Sequence, residues 1–372
     1  MNKILRVTIA FVTFVLLTGC GDQRVLEKLG FTQTTSYDLA PHDEDKLLIS
    51  ISIPKPDSDS GNAKREVITA ISPTSKAGKI DLARQTELML VSGQLRNALF
   101  GVNLAKEGIW KHIDTLVRDP SISPRVKVSV VNGNAHDLLA KDYPRHPRTG
   151  QYIHRILEKE AISHTIPRVS VYEFTRDYFD DAIDPVAPMI KETHGNIVID
   201  GIALFRKDRY ITKIEPDQAL IFAFLRGKFK HGDLSVNLSE VGRNNEHVML
   251  SSLASQRSIK VTSTSDKNRF NIDVYIKTTG SVLEYIGALN LENEKDRKKI
   301  ERLISEYITS RAEEMIANMQ KHNVDSLGIG KHVRGILGYK RWKSLDWHKV
   351  YQDVEVKCHV KVRIKDFGMF EK

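Results

Sequence analysis

The chain has 372 residues, 41% of them hydrophobic and 28% charged, with a formal net charge of +9. That apolar content can build a substantial core, and the length fits two or three domains. Only two cysteines occur, Cys20 and Cys358, which excludes a disulfide framework once Cys20 has another use. The charges alternate in sign along most of the chain, so the positive excess reads as a solvated surface near anionic lipid, not a nucleic-acid site.

The N-terminus carries the first signal. Lys3 and Arg6 precede an apolar run from Val7 to Leu17, the charged and hydrophobic regions of a secretory signal. The run is too short for a bilayer, which needs ~20 residues. Leu17-Thr18-Gly19-Cys20 then fits a lipobox: a branched apolar residue, two small residues and the thiol that accepts a diacylglyceryl group. Two acyl chains hold a protein stably at a membrane where one does not. The expected mature chain begins at Cys20, the lipidation site, after a signal peptide at 1–19. A polar lipidated N-terminus and tether should follow over 20–45, and no later stretch is long and apolar enough to span a membrane.

An N-terminal α/β domain is expected over 46–190. Leu47–Ile53 and Glu66–Ile71 read as a hairpin across a Ser/Asp/Gly cluster. Asp81–Leu90 reads as a helix capped by Asp81, Leu95–Gly101 as a strand, Leu104–Val117 as a helix and Val126–Val131 as a strand. Helical patterns follow at Tyr152–Ala161 and Tyr172–Phe179. Asp180–Pro188, with two prolines, is the first boundary candidate. A small strand-rich middle domain is expected over 195–265, with strands at Ile197–Phe205 and Tyr210–Ile214 flanking a turn at Arg206–Arg209. Ala219–Arg226 is an apolar stretch, and Val248–Leu253, Ile259–Ser263 and Phe270–Ile276 read as strands. The C-terminal α+β domain is expected over 266–372. Its helix, Glu294–His322, carries apolar residues at three- and four-residue steps from Ile300 to Met319 and would run about 40 Å. Val354–Ile364 alternates as a half-buried strand, with Cys358 on its apolar face. The expected fold class is α+β: three mixed domains, mostly antiparallel sheets, and the long helix packed on a sheet.

No catalytic set emerges. His146, His154 and His164 lack the spacing of a helical metal pair. Asp180, Asp181 and Asp184 lack the glycine turn and terminal glutamate of a calcium loop, so a solvated linker is the better reading. Gly328-Ile329-Gly330-Lys331 is too short for a phosphate loop, and His332 stands where Ser or Thr is needed. Trp342 and Trp347, among Lys340, Arg341 and Lys343, fit either a headgroup interface or packing under a loop, the latter preferred. Cys358 reads as a small core residue. No catalytic, cofactor-binding or metal-binding residue is assigned, and no cofactor is expected.

Several of these segments together resemble the Ger(x)C family of spore germination lipoproteins, the C subunits of GerA-type nutrient germinant receptors. The resemblance runs through Leu17–Cys20, Leu104–Ile109, and Leu116–Ile122 with its Arg118-Asp119-Pro120. It continues through the hairpin Gly201–Asp208, Leu225-Arg226-Gly227, the long helix, Asp325–Gly330, and Trp342 with Trp347. Gly21-Asp22 departs from the Trp-Asp that often follows the lipidated cysteine. The resemblance implies three α+β domains and a non-enzymatic subunit on the outer face of the spore inner membrane. It further implies integral-membrane A and B subunits as partners, in a complex answering to amino acids, sugars or nucleosides. A solute-binding lipoprotein of a transporter is the alternative, and would need a cleft between two lobes. A lipid-anchored hydrolase is disfavoured by the missing catalytic set.

Overall fold

The computed structural model describes residues 26–54, 65–263 and 269–367. Signal peptide and Cys20 therefore lie outside the described residues. Two large sheets organise the rest, joined by a polar seam and a common apolar core.

The first ten strands are β1 Leu29–Phe31, β2 Thr34–Ala40, β3 Asp43–Pro54, β4 Arg65–Ser72, β5 Met89–Val91, β6 Asn97–Gly101, β7 Lys127–Val131, β8 Val186–Thr193, β9 Asn196–Arg206 and β10 Arg209–Ile214. Eight of them form one sheet in the order β10-β9-β8-β7-β6-β2-β3-β4, and β1 pairs with β5 apart from it. β2, β6, β7 and β8 run parallel at its centre, with antiparallel strands on either side. Central parallel strands are covered on both faces and so read as continuous apolar runs. Here Ala98 and Phe100 enter the larger core while Leu99 faces a second one, roofed by helices Ala135–Ala140 and Thr149–Ile162.

The expected tether at 20–45 is corrected by β2, a central strand that is buried almost throughout. Its polar sequence, Thr34-Thr35-Ser36-Tyr37-Asp38, disguises it. The buried Asn97 donates to Thr34 Oγ1 at 3.0 Å, and Asp38 accepts from the Ala135 and His136 N–H groups at 2.8 Å each. The expected helix over Asp81–Leu90 lies earlier, at Ser75–Ala83, because Thr74 and not Asp81 caps it. The helix expected over Leu104–Val117 is two, Val102–Glu107 and Trp110–Val117, broken where Gly108 takes φ +119°.

The remaining strands are β11 Phe229–Lys230, β12 Leu234–Asn237, β13 His247–Ser263, β14 Phe270–Ile286 and β15 Glu355–Asp366. They form the second sheet in the order β11-β13-β14-β15, with β12 also on β13. These pairings redraw the expected middle and C-terminal units. β9 and β10 complete the first sheet, and β13 and β14 are neighbours across the 265/266 boundary. The apolar stretch Ala219–Arg226 is a buried helix.

The helix Glu294–Lys321 packs the stripe from Ile300 to Met319 onto the second sheet. It also covers the open edge of β15. Cys358 N–H donates to Glu313, Val362 N–H to Ser305 Oγ at 3.1 Å, and Ile364 N–H to Glu301 at 2.7 Å. The spacings match: four helical residues rise ~6 Å and two strand residues ~6.6 Å, so helix side chains step in register with the strand. An edge so capped cannot recruit another strand.

Candidate functional site: the joint between the sheets

Asp180–Pro185 connects helix Val171–Phe179 to β8, and every acid in it is engaged. Arg334 Nη1 donates to Asp180 at 2.7 Å and to Asp181 at 2.6 Å, while Lys343 Nζ reaches Asp181 at 2.8 Å. Burial alone would raise Asp181, but donors from Lys343, Trp342 and Arg334 hold its carboxyl at about 2. The expected solvated linker is thus corrected to a clamp between distant parts of the chain.

Asp184 lies deeper. Its N–H donates to the Asp325 carbonyl at 2.9 Å, and its Oδ2 accepts from Asp325 N–H at 2.8 Å. Asp325 Oδ1 accepts from Ile329 N–H at 3.0 Å, and Oδ2 from Gly330 N–H at 2.7 Å and Trp347 Nε1 at 3.0 Å. Burial pushes both carboxyls up to about 6, against the N–H donors that favour their ionised forms. A glycine is obligatory at 330, where a Cβ would sit 2.6 Å from Trp347 Nε1. The run Gly328–Lys331 therefore opens a helix, Ile329–Leu337, whose first N–H groups are already occupied by Asp325. Lys331 faces Asp180 at 3.3 Å. Trp342 and Trp347 are 2% and 4% exposed, packed inside and not at a headgroup layer.

The other segments that carry the resemblance are joints too. Arg226 Nη2 donates to the buried Asp177 at 3.1 Å. Arg257 on β13 donates to the carbonyls of Leu225 and Leu327, tying that helix end to the Asp325 turn. In the β9–β10 hairpin, Gly201 takes φ +118°, and a Cβ there would meet Ile214 O at 2.0 Å. Asp208, in the turn, accepts Trp110 N–H at 3.1 Å and so caps helix Trp110–Val117. Asp119 accepts from Lys76 Nζ at 3.0 Å and from Ser121; these donors outweigh its burial and hold its carboxyl well below the usual range.

The remaining candidates separate. His154 pairs with Glu158 at 3.1 Å, His146 stacks on Tyr152 at 3.8 Å, and His164 meets the Lys230 carbonyl at 2.9 Å. Among the described residues no cluster of His, Cys, Asp and Glu is placed to hold a metal. Cys358 is 6% exposed, and burial, then Glu313, pushes its thiol up to about 12, so it is no nucleophile at neutral pH. Sequence reasoning missed Asp177, Arg257 and Arg334 as joint residues. Nothing local marks them, since Arg334 and Asp180 stand 154 residues apart.

In this α+β protein the recurrent motifs lock distant elements of the two large sheets together. Residues 22–192 match a family model described as the spore germination protein N-terminal domain. Residues 200–368 match one described as spore germination B3/GerAC like, C-terminal. The spore germination protein GerQC of Bacillus cereus is 25% identical over 360 residues, covering 96% of this chain and 97% of its own length. The putative spore germination protein YfkR of Bacillus subtilis (strain 168) is 22% identical over 382 residues, covering 96% and 95%. The crystal structure of the GerBC protein has the same fold, with TM-score 0.60 at 14% identity, covering 92% of this chain and 100% of that one. The chain belongs to the GerAC-like family of spore germination proteins, the C-subunit type of germinant receptor.

Proposed function

We propose that this protein is a lipid-anchored, non-catalytic subunit of a nutrient germinant receptor on the outer face of the spore inner membrane. The observation that carries the reading is the coincidence of family matches over 22–192 and 200–368 with a lipobox ending at Cys20, just ahead of them. Among the described residues no helix is long and apolar enough to cross a membrane; in this reading the acylated Cys20 supplies the attachment. Anchoring confines the chain to a thin layer, where modest contacts with integral-membrane A and B subunits suffice through effective concentration. Its rigid joints then serve to hold one surface toward those partners.

Affinity capture of the tagged chain from detergent-solubilised spore membranes tests this. Two polytopic subunits should co-purify in fixed proportion. Recovery with the subunits of a solute transporter instead would replace the receptor with the solute-binding alternative.

A further inference from the structure

The second sheet has two unlike faces. Along β14, Ile272, Val274 and Ile276 are buried under the helices, which leaves the alternate positions on the opposite, open face. The strand register fixes what stands there. Lys260, Asp273 and Lys357 form one row across β13, β14 and β15; Ser258, Tyr275 and His359 the next; Gln256, Lys277 and Lys361 the third; and Ala254, Thr279 and Arg363 the fourth. Beyond Arg363 the register shifts, so that the exposed Lys365 is the extra residue of a bulge and Asp366 stands opposite Ser281.

Six cations, Lys260, Lys277, Lys357, Lys361, Arg363 and Lys365, thus share this surface with three acids, Asp273, Glu355 and, at its end, Asp366. Two of the acids are engaged within the face, Asp273 by His359 at 2.6 Å and Glu355 by Lys357 at 2.8 Å. Among the described residues the other five cations have no carboxylate partner. Strands lie ~4.8 Å apart and same-face residues ~6.6 Å apart, well inside the ~10 Å screening length at 0.1 M salt. These cations therefore repel one another unless an anionic surface faces them.

We propose that this open face is a docking surface for an anionic lipid membrane. Its shape matches, because a sheet face offers no groove for a peptide and no apolar centre of the kind protein interfaces bury. Its chemistry matches too: five of the six cations are lysines, mobile point charges suited to a diffuse field, where specific carboxylate recognition favours the arginine fork. Tyr275, at the centre and stacked on His359 with ring centroids 4.7 Å apart, offers the amphipathic ring that sits at headgroup level. The proposal deepens the membrane-associated reading above. It does not need the acyl anchor, so the two can fail separately.

The test uses the unacylated mature chain, beginning at Gly21, mixed with vesicles of phosphatidylcholine alone or with added phosphatidylglycerol, and read by co-sedimentation. The unacylated chain should bind the anionic vesicles, fail to bind neutral ones, and lose binding at high salt. Reversing Lys277, Lys361 and Arg363 to Glu should weaken partitioning roughly a hundredfold or more, as each basic residue near such a surface contributes about a factor of five. The comparison variant reverses Arg168, Lys228 and Lys230 to Glu. These line a cationic cleft elsewhere, of 580 Å³, and the variant has the same net charge. It should bind within a few-fold of the parent. Equal loss in both triples, no loss in the first, or no binding by the parent chain would each overturn the proposal. All three positions of the sheet triple are exposed, and an unchanged circular dichroism spectrum verifies that the variant is folded.

Discussion

Trp347→Phe isolates the joint at Asp325. The indole N–H donates to Asp325 Oδ2 at 3.0 Å, in a site where Trp347 is 4% and Asp325 1% exposed. Phenylalanine removes that donor but leaves the Ile329 and Gly330 N–H groups on the carboxylate, so no buried charge is orphaned. Losing a hydrogen bond to an ionised acceptor costs about 1.5–3 kcal/mol, and to a neutral one about 0.5–1.5. The volume left by the smaller ring adds about 1 kcal/mol. Because burial places the Asp325 carboxyl at about 6, it is ionised at pH 7.5 and mostly protonated at pH 5. The variant should therefore lose ~2.5–4 kcal/mol at pH 7.5 but only ~1.5–2.5 at pH 5. Linkage agrees in sign. The indole favours the charged form, so its removal raises the folded pKa further, and stability falls more steeply as pH rises through that value. Urea unfolding of the Cys20→Ala chain with and without Trp347→Phe, followed by far-ultraviolet circular dichroism, measures the difference, and groups remote from the site cancel. A loss equal at both pH values, or larger at pH 5, would refute the assignment of Asp325 as the acceptor.

Gly201→Ala should destabilise by about 3 kcal/mol or more, since the new Cβ meets a backbone carbonyl at a φ that alanine avoids; urea midpoints near those of the parent would contradict this. His112, buried against Tyr37 and held neutral down to about 4 by burial and then by Lys111, has a folded pKa below its unfolded ~6.5. Its contribution is complete above pH 6.5 and falls by about 3 kcal/mol as pH drops to 4, so His112→Gln should flatten that part of the stability profile. Cys20→Ala should abolish incorporation of labelled fatty acid and let high salt release the protein from spore membranes; label remaining on the variant would disprove Cys20 as the acylation site.

The fold was legible where one period persists. The helix Glu294–Lys321 announces itself because apolar residues keep helical spacing from Ile300 to Met319, more than five turns, and β15 because it alternates beside that helix. β2 was illegible because a buried strand can be polar when each polar atom has a partner elsewhere: Asn97 for Thr34, the Ala135 and His136 amides for Asp38. β13 read as two pieces because the polar run Ser255-Gln256-Arg257-Ser258 separates its apolar stretches, although the strand continues through it. The segment Asp180–Pro185 shows the limit most clearly. Charges and prolines mark a linker by composition, yet each acid meets a partner some 140 to 160 residues away, and tertiary pairing of that range leaves no local trace. The resemblance motifs, by contrast, were visible in sequence, though not the reason for them: Gly201 and Gly330 are there because a Cβ would strike a neighbour.

The receptor-subunit reading is tested most directly in spores lacking this one chain. Spores carrying the deletion should lose or slow germination with the nutrients read by its receptor while answering normally to nutrients read by others. Re-expression of the wild-type chain should restore the response, and the Cys20→Ala chain should not. Normal germination with every nutrient would contradict the account, as would an equal defect with all of them.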